Sequence, residues 1–175
     1  MSKDCDPIAR QGTNDGLSGI YCLINAIRDD DRLKGSSGKD ILRYLLEAAS
    51  RLNNLLPAKI SNGYEAHELT DIFNEFARSL NLSWRAGLLI KVRHTFPLFS
   101  PTIVSKRILE EGGKIILRTE DCDHWLLAYM YNFGKHAYLV EDPDLEHEKT
   151  KISSKKVTER GVVILPTRAH LARAL

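Results

Sequence analysis

The chain has 175 residues, of which 43% are apolar and 27% charged; that is a globular composition, long enough to bury a core, and it suits one domain spanning 1–175. A net charge of +2 is too small to argue for a nucleic-acid or membrane-surface partner. No run of about 18 apolar residues occurs, so no transmembrane helix is expected, and the three cysteines, Cys5, Cys22 and Cys122, make no disulfide framework.

Residues 1–10 read as a lead-in to the domain. Met1 to Asp6 lacks an apolar signal region. The expected location is therefore the cytoplasm, or a target cell reached as part of a secreted polypeptide. A glycine-punctuated loop follows from Gln11 to Gly19. Ile20, Leu23, Ile24 and Ile27 then fall at i, i+3, i+4 and i+7, which predicts a helix from about Leu17 to Arg28. Ser18 sits at or near its first turn. One reading makes it an N-cap. The other makes it a nucleophile, whose developing charge the first-turn N–H groups and the helix dipole would stabilise. Cys22 comes one turn later, too deep to use those amides, and reads as a buried small hydrophobe. Asp29-Asp30-Asp31-Arg32 reads as a solvated charge run that ends the helix.

Ser37 and Asp40 resemble a capping box opening a second helix to about Asn53. Asn62-Gly63 is a turn signal. A third helix is expected over 66–80, with Leu69, Ile72, Phe73, Phe76, Ala77 and Leu80 on one face. Residues 82–90 read as a strand and 91–99 as a loop. Ser100-Pro101 reads as N-cap and first helical position of a short helix ending at Gly112-Gly113. The period then changes. Strands are expected at 114–118, 124–133, 136–141 and 162–165, with a hairpin turn at 132–135. Residues 153–160 read as a short helix or a loop, and 166–175 as a tail. Helices first and an antiparallel sheet afterwards predict an α+β fold.

His124 opens an apolar strand. Pairing residues near 131 and 135 across the hairpin brings Asp142 opposite the 124 region. Pro143 stops the strand there, and Glu141 should point to the other face. The run Asp121-Cys122-Asp123-His124 offers four metal donors in a row. Such neighbours rarely converge on one ion and no CxxC pair supports them, so no metal or cofactor is expected.

Gln11, then Asp15 to Ile27 ("DGLSGIYCLINAI"), then Asp123-His124-Trp125, then Val140-Glu141-Asp142-Pro143 occur in that order. Together they resemble a papain-like cysteine peptidase. The likeness is to the compact bacterial kind related to bacteriocin-processing peptidases and secreted effector proteases, and it covers about residues 8–145. It implies an N-terminal helical lobe whose nucleophile helix packs on a C-terminal antiparallel sheet. It implies Gln11 in the oxyanion hole, His124 as base and Asp142 as its orienter. Ser18 stands where that family has cysteine, and the otherwise intact site favours an inactivated Cys-to-Ser form over a natural serine.

The expected function is cleavage of a protein substrate by a toxin or effector domain, with an immunity or inhibitor protein as a further partner. The alternatives are a glutamine deamidase or acyltransferase on the same triad, and a binding module that has lost its nucleophile.

Overall fold

The computed structural model describes residues 17–28, 30–52, 59, 63–94, 100–120, 124–142, 149–157 and 161–165. Among them are five α-helices and six strands. The helices are α1 (Ser18–Ile27), α2 (Gly38–Arg51), α3 (Ala66–Ser79), α4 (Leu89–His94) and α5 (Pro101–Glu110). The strands are β1 (Arg85–Leu88), β2 (Lys114–Arg118), β3 (Trp125–Asn132), β4 (Ala137–Glu141), β5 (Lys149–Ser153) and β6 (Val162–Leu165). All pair antiparallel in one sheet of order β1-β6-β2-β3-β4-β5. The fold is α+β.

Alternation along the strands splits the core into two layers. Ile116, Trp125, Leu127, Val162 and Ile164 face α1, α2 and α3. Ile115, Leu117, Leu126, Ala128, Val140, Val163 and Leu165 face the other way, where Val104 and Ile108 of α5 cover them. α1 lies at the centre of the first layer. Every residue in it except Tyr21 is buried, so its apolar stripe is one side of a helix enclosed all round rather than the inner face of a surface helix.

Local chemistry sets the element ends. Ser37 accepts from the Asp40 N–H while the Asp40 side chain accepts from the Ser37 N–H, which completes the expected capping box of α2. Ser100 accepts from the Ile103 N–H at the start of α5, with Pro101 in its first turn. Gly112 follows that helix at φ +80, a conformation that glycine adopts without steric cost. The outer edge of β1 is covered by Asn74 of α3, whose side-chain amide donates to the Ala86 carbonyl and accepts from the Ala86 N–H. The outward N–H and carbonyl of Ala86 are thereby satisfied within the chain.

The structure corrects several expectations. The strand expected over 82–90 is confined to Arg85–Leu88, and the loop expected over 91–99 is helical in its first part, because the chain runs as a helix over Leu89–His94. The Leu89 N–H bonds the Gly161 carbonyl at 2.9 Å, so the sheet partner there is the chain leading into β6. Residues 149–153 form an edge strand for which the sequence carried no apolar signal. Asp30 is not solvated: its side chain is 8% exposed and is bonded by Arg32 and by the Trp84 N–H. The expected lead-in and the expected tail lie outside the described residues. Among those described, no helix is long and apolar enough to cross a membrane.

Candidate functional site

Trp125 is the fixed point around which the candidate residues gather. Its indole N–H donates to the Tyr64 carbonyl at 3.2 Å, and the Arg118 guanidinium lies 5.6 Å from its ring. Arg118 is itself held by Glu65 at 2.7 Å. From the opposite side, the Cys22 thiol donates to the Trp125 carbonyl at 3.4 Å. A Cβ added to Gly19 would stand 3.2 Å from the indole Cδ1 and 2.6 Å from Leu69. Glycine at 19 is what lets the first turn of α1 approach this closely. α1 thus begins beside the residue that follows His124.

Ser18 is the first helical residue of α1, and Leu17 holds the cap position without a side-chain cap bond. Ser18 is therefore not an N-cap. It lies in the turn whose N–H groups have no carbonyl partner within the helix and where the dipole favours negative charge. It is buried, as is Cys22 one turn further on.

His124 sits immediately before β3, and Asp142 immediately after β4. His124 Nε2 lies 2.8 Å from Asp142 Oδ1, and the two side chains are 17% and 18% exposed. A carboxylate only accepts, so Nε2 is the protonated ring nitrogen of this pair. Proton exchange with a nucleophile then falls to Nδ1. The Thr119 hydroxyl bonds the His124 backbone N–H at 3.3 Å, and the Thr119 N–H bonds the His124 carbonyl at 2.9 Å. The residue is thus held at its main chain by β2 and at its ring by β4. A cavity of about 370 Å³ opens beside the pair, lined by Thr119, His124, Leu126, Asp142, Thr150 and Lys156 among others.

On the other face of the sheet, Glu141 is buried and accepts from the Tyr129 hydroxyl. Burial, and after it this carboxylate, raise the pKa of the Tyr129 phenol, so the phenol stays protonated and donates. Glu141 does point away from Asp142, as expected. Tyr129 continues the alternation of Trp125 and Leu127 on the α1 face, so nothing in the strand's pattern singled it out.

Of the four expected site residues, the structure joins His124 to Asp142. Ser18 stands at the start of α1, on the Trp125 side of the sheet, and is not among the residues that line the cavity beside the pair, which Leu126 lines from the opposite layer. Gln11 lies outside the described residues, as do Asp15, Asp121, Cys122 and Asp123. Among the described residues, no group of three or more His, Cys, Asp or Glu could hold a metal ion. No protein-family model, curated protein or solved structure matches the chain.

Proposed function

We propose that the chain is a papain-like thiol peptidase domain in a serine form. Position 18 is the nucleophile, His124 its base, Asp142 the orienter of that base and Gln11 a side-chain donor to the oxyanion. With cysteine at 18, Nδ1 of His124 would take the thiol proton, and Asp142 on Nε2 would steady the imidazolium. The thiolate would attack the scissile carbonyl. Its oxygen would draw on the position-18 N–H and on Gln11, each worth roughly 3 kcal/mol in the transition state. His124 would then return the proton to the leaving amine. Serine keeps the shape of this site, but a hydroxyl is far less acidic than a thiol, so the ion pair does not form. Substrate would bind and turn over poorly. The same reading makes the chain a secreted effector toxin acting on a protein, with an immunity protein as partner in its producer.

The observation that carries this proposal is the 2.8 Å contact between His124 and Asp142. The test is Ser18→Cys, incubated with a proteome and with peptide libraries. New N-termini whose appearance iodoacetamide abolishes would support peptidase action. A gain of about one dalton on intact substrate would instead mean glutamine deamidation on the same triad. Inertness towards every peptide and amide would count against an enzyme.

A further inference from the structure

The hairpin register shows how Asp142 comes to face His124. From the turn outward the pairs are Asn132↔Ala137, Tyr131↔Tyr138 and Met130↔Leu139. Continued without interruption, that register would set Asp142 opposite Leu127. Leu127 belongs to the layer against α1, and His124 is one residue out of phase with it. The carboxylate would then leave the strand on the wrong side. Instead the ladder breaks between Ala128 and Met130, and the next pairs are Ala128↔Val140 and Leu127↔Glu141. One step further places Asp142 opposite Leu126, which lines the cavity together with His124. His124 is then its diagonal neighbour, within side-chain reach.

Tyr129 is the residue that the ladder skips. Its hydroxyl donates to Glu141, the residue directly before Asp142. Glu141 is 5% exposed and Tyr129 is half-buried, packed against the α1 layer, so this bond is made at the margin of the core. It ties the extra residue of β3 to the last paired residue of β4 across the α1 face. A bulge held in this way cannot slide along the strand without breaking a hydrogen bond that is partly shielded from water.

We propose that Tyr129 and Glu141 are positioning residues: their hydrogen bond locks the β3 bulge, and the locked bulge presents Asp142 to His124. Neither touches substrate. For its catalytic consequence the proposal rests on the peptidase reading, but its geometry is tested without turnover.

The measurement is the hydrogen-bonded Nε2 proton of His124, followed by NMR in protein labelled with ¹⁵N-histidine. Folded Tyr129→Phe is expected to lose that signal, as Asp142→Ala does. In the Ser18→Cys background it should lower kcat roughly ten- to a hundredfold with KM little changed. A folded Tyr129→Phe protein that keeps the signal would overturn the proposal. Should Tyr129→Phe fail to fold, Glu141→Gln decides the matter. Glutamine retains an acceptor for the phenol, so the signal should persist, and its loss would show that charge at 141, not the bulge bond, sets the pair. An inert Ser18→Cys protein whose Nε2 signal still depends on Tyr129 would remove the peptidase reading alone. An active one whose signal ignores Tyr129 would remove this proposal alone.

Discussion

His124 and Asp142 stand 18 residues apart in the chain and 2.8 Å apart in space. A single extra residue in β3 is what puts them on one side of the hairpin. The role assigned to Asp142 needs an acceptor aimed at Nε2 rather than a charge as such. In the Ser18→Cys background, Asp142→Asn should therefore stay within about tenfold of the parent, because its Oδ1 can accept the same bond. Asp142→Ala should lose roughly a hundredfold or more in kcat/KM, the usual scale for a disabled general base. Steady-state kinetics on one cleavable peptide checks both.

The packing of α1 on β3 predicts a cost at Gly19. A Cβ there would come within 2.6 Å of Leu69 Cδ1 and 3.2 Å of Trp125 Cδ1. Leu69 is itself completely buried and has little room to yield. Gly19→Ala should destabilise the protein by about 1–3 kcal/mol, the range for overpacking a tight core. Urea unfolding should show a lower midpoint at an unchanged slope.

Cys22 makes a prediction about selectivity. Its thiol is buried and directed at the Trp125 carbonyl, surroundings that do not favour a thiolate. In native protein, iodoacetamide should leave the tryptic peptide bearing Cys22 unmodified, and in urea it should label it fully. Native labelling at Cys22 would make it a rival nucleophile.

Asp30 sets an acid limb of stability. The Arg32 side chain bonds both of its oxygens, at 2.9 and 2.7 Å. That guanidinium holds the Asp30 carboxyl well below the usual carboxylate range, against the opposing effect of burial and with help from the Trp84 N–H. The folded value lies below the unfolded one of about 3.9. The linked stability is therefore fully present above that value and is lost as pH falls through the folded pKa. Asp30→Asn should cost about 2 kcal/mol at neutral pH, the scale of a hydrogen bond to a charged group. The gap between wild type and variant should narrow below about pH 4. Thermal unfolding across pH 2–7 measures it.

Much of this was legible in the sequence where period and caps agree. The 3.6 spacing of Ile20, Leu23, Ile24 and Ile27, the Ser37–Asp40 box and the Ser100-Pro101 pair each located a helix. Asn132 to Lys135 located the hairpin, but the pairing expected near 131 and 135 is corrected to Tyr131↔Tyr138, and Asp142 falls one step beyond Leu127↔Glu141, two residues from the 124 region, only because of the bulge. The remainder needed tertiary information. β5, Lys-Thr-Lys-Ile-Ser, is a polar edge strand with one apolar residue, Ile152, packed on the core. Its pairing comes from β4, not from its own pattern. Leu88-Leu89-Ile90 is too short an apolar run to tell strand from helix. The bulge at Tyr129 left no mark in composition, yet it determines which side Asp142 faces. Asp30 looked like one of a solvated run because its partner Trp84 is 54 residues away.

The proposed chemistry requires position 18 and His124 to act as a pair. Its sharpest measurement is the pH dependence of iodoacetamide alkylation at residue 18 in Ser18→Cys, read by peptide mapping with and without His124→Ala. The expected result is a thiol reactive well below the free-cysteine pKa of about 8.5, returned to that value when the imidazole is removed. A thiol that titrates near 8.5 whether or not His124 is present would contradict it.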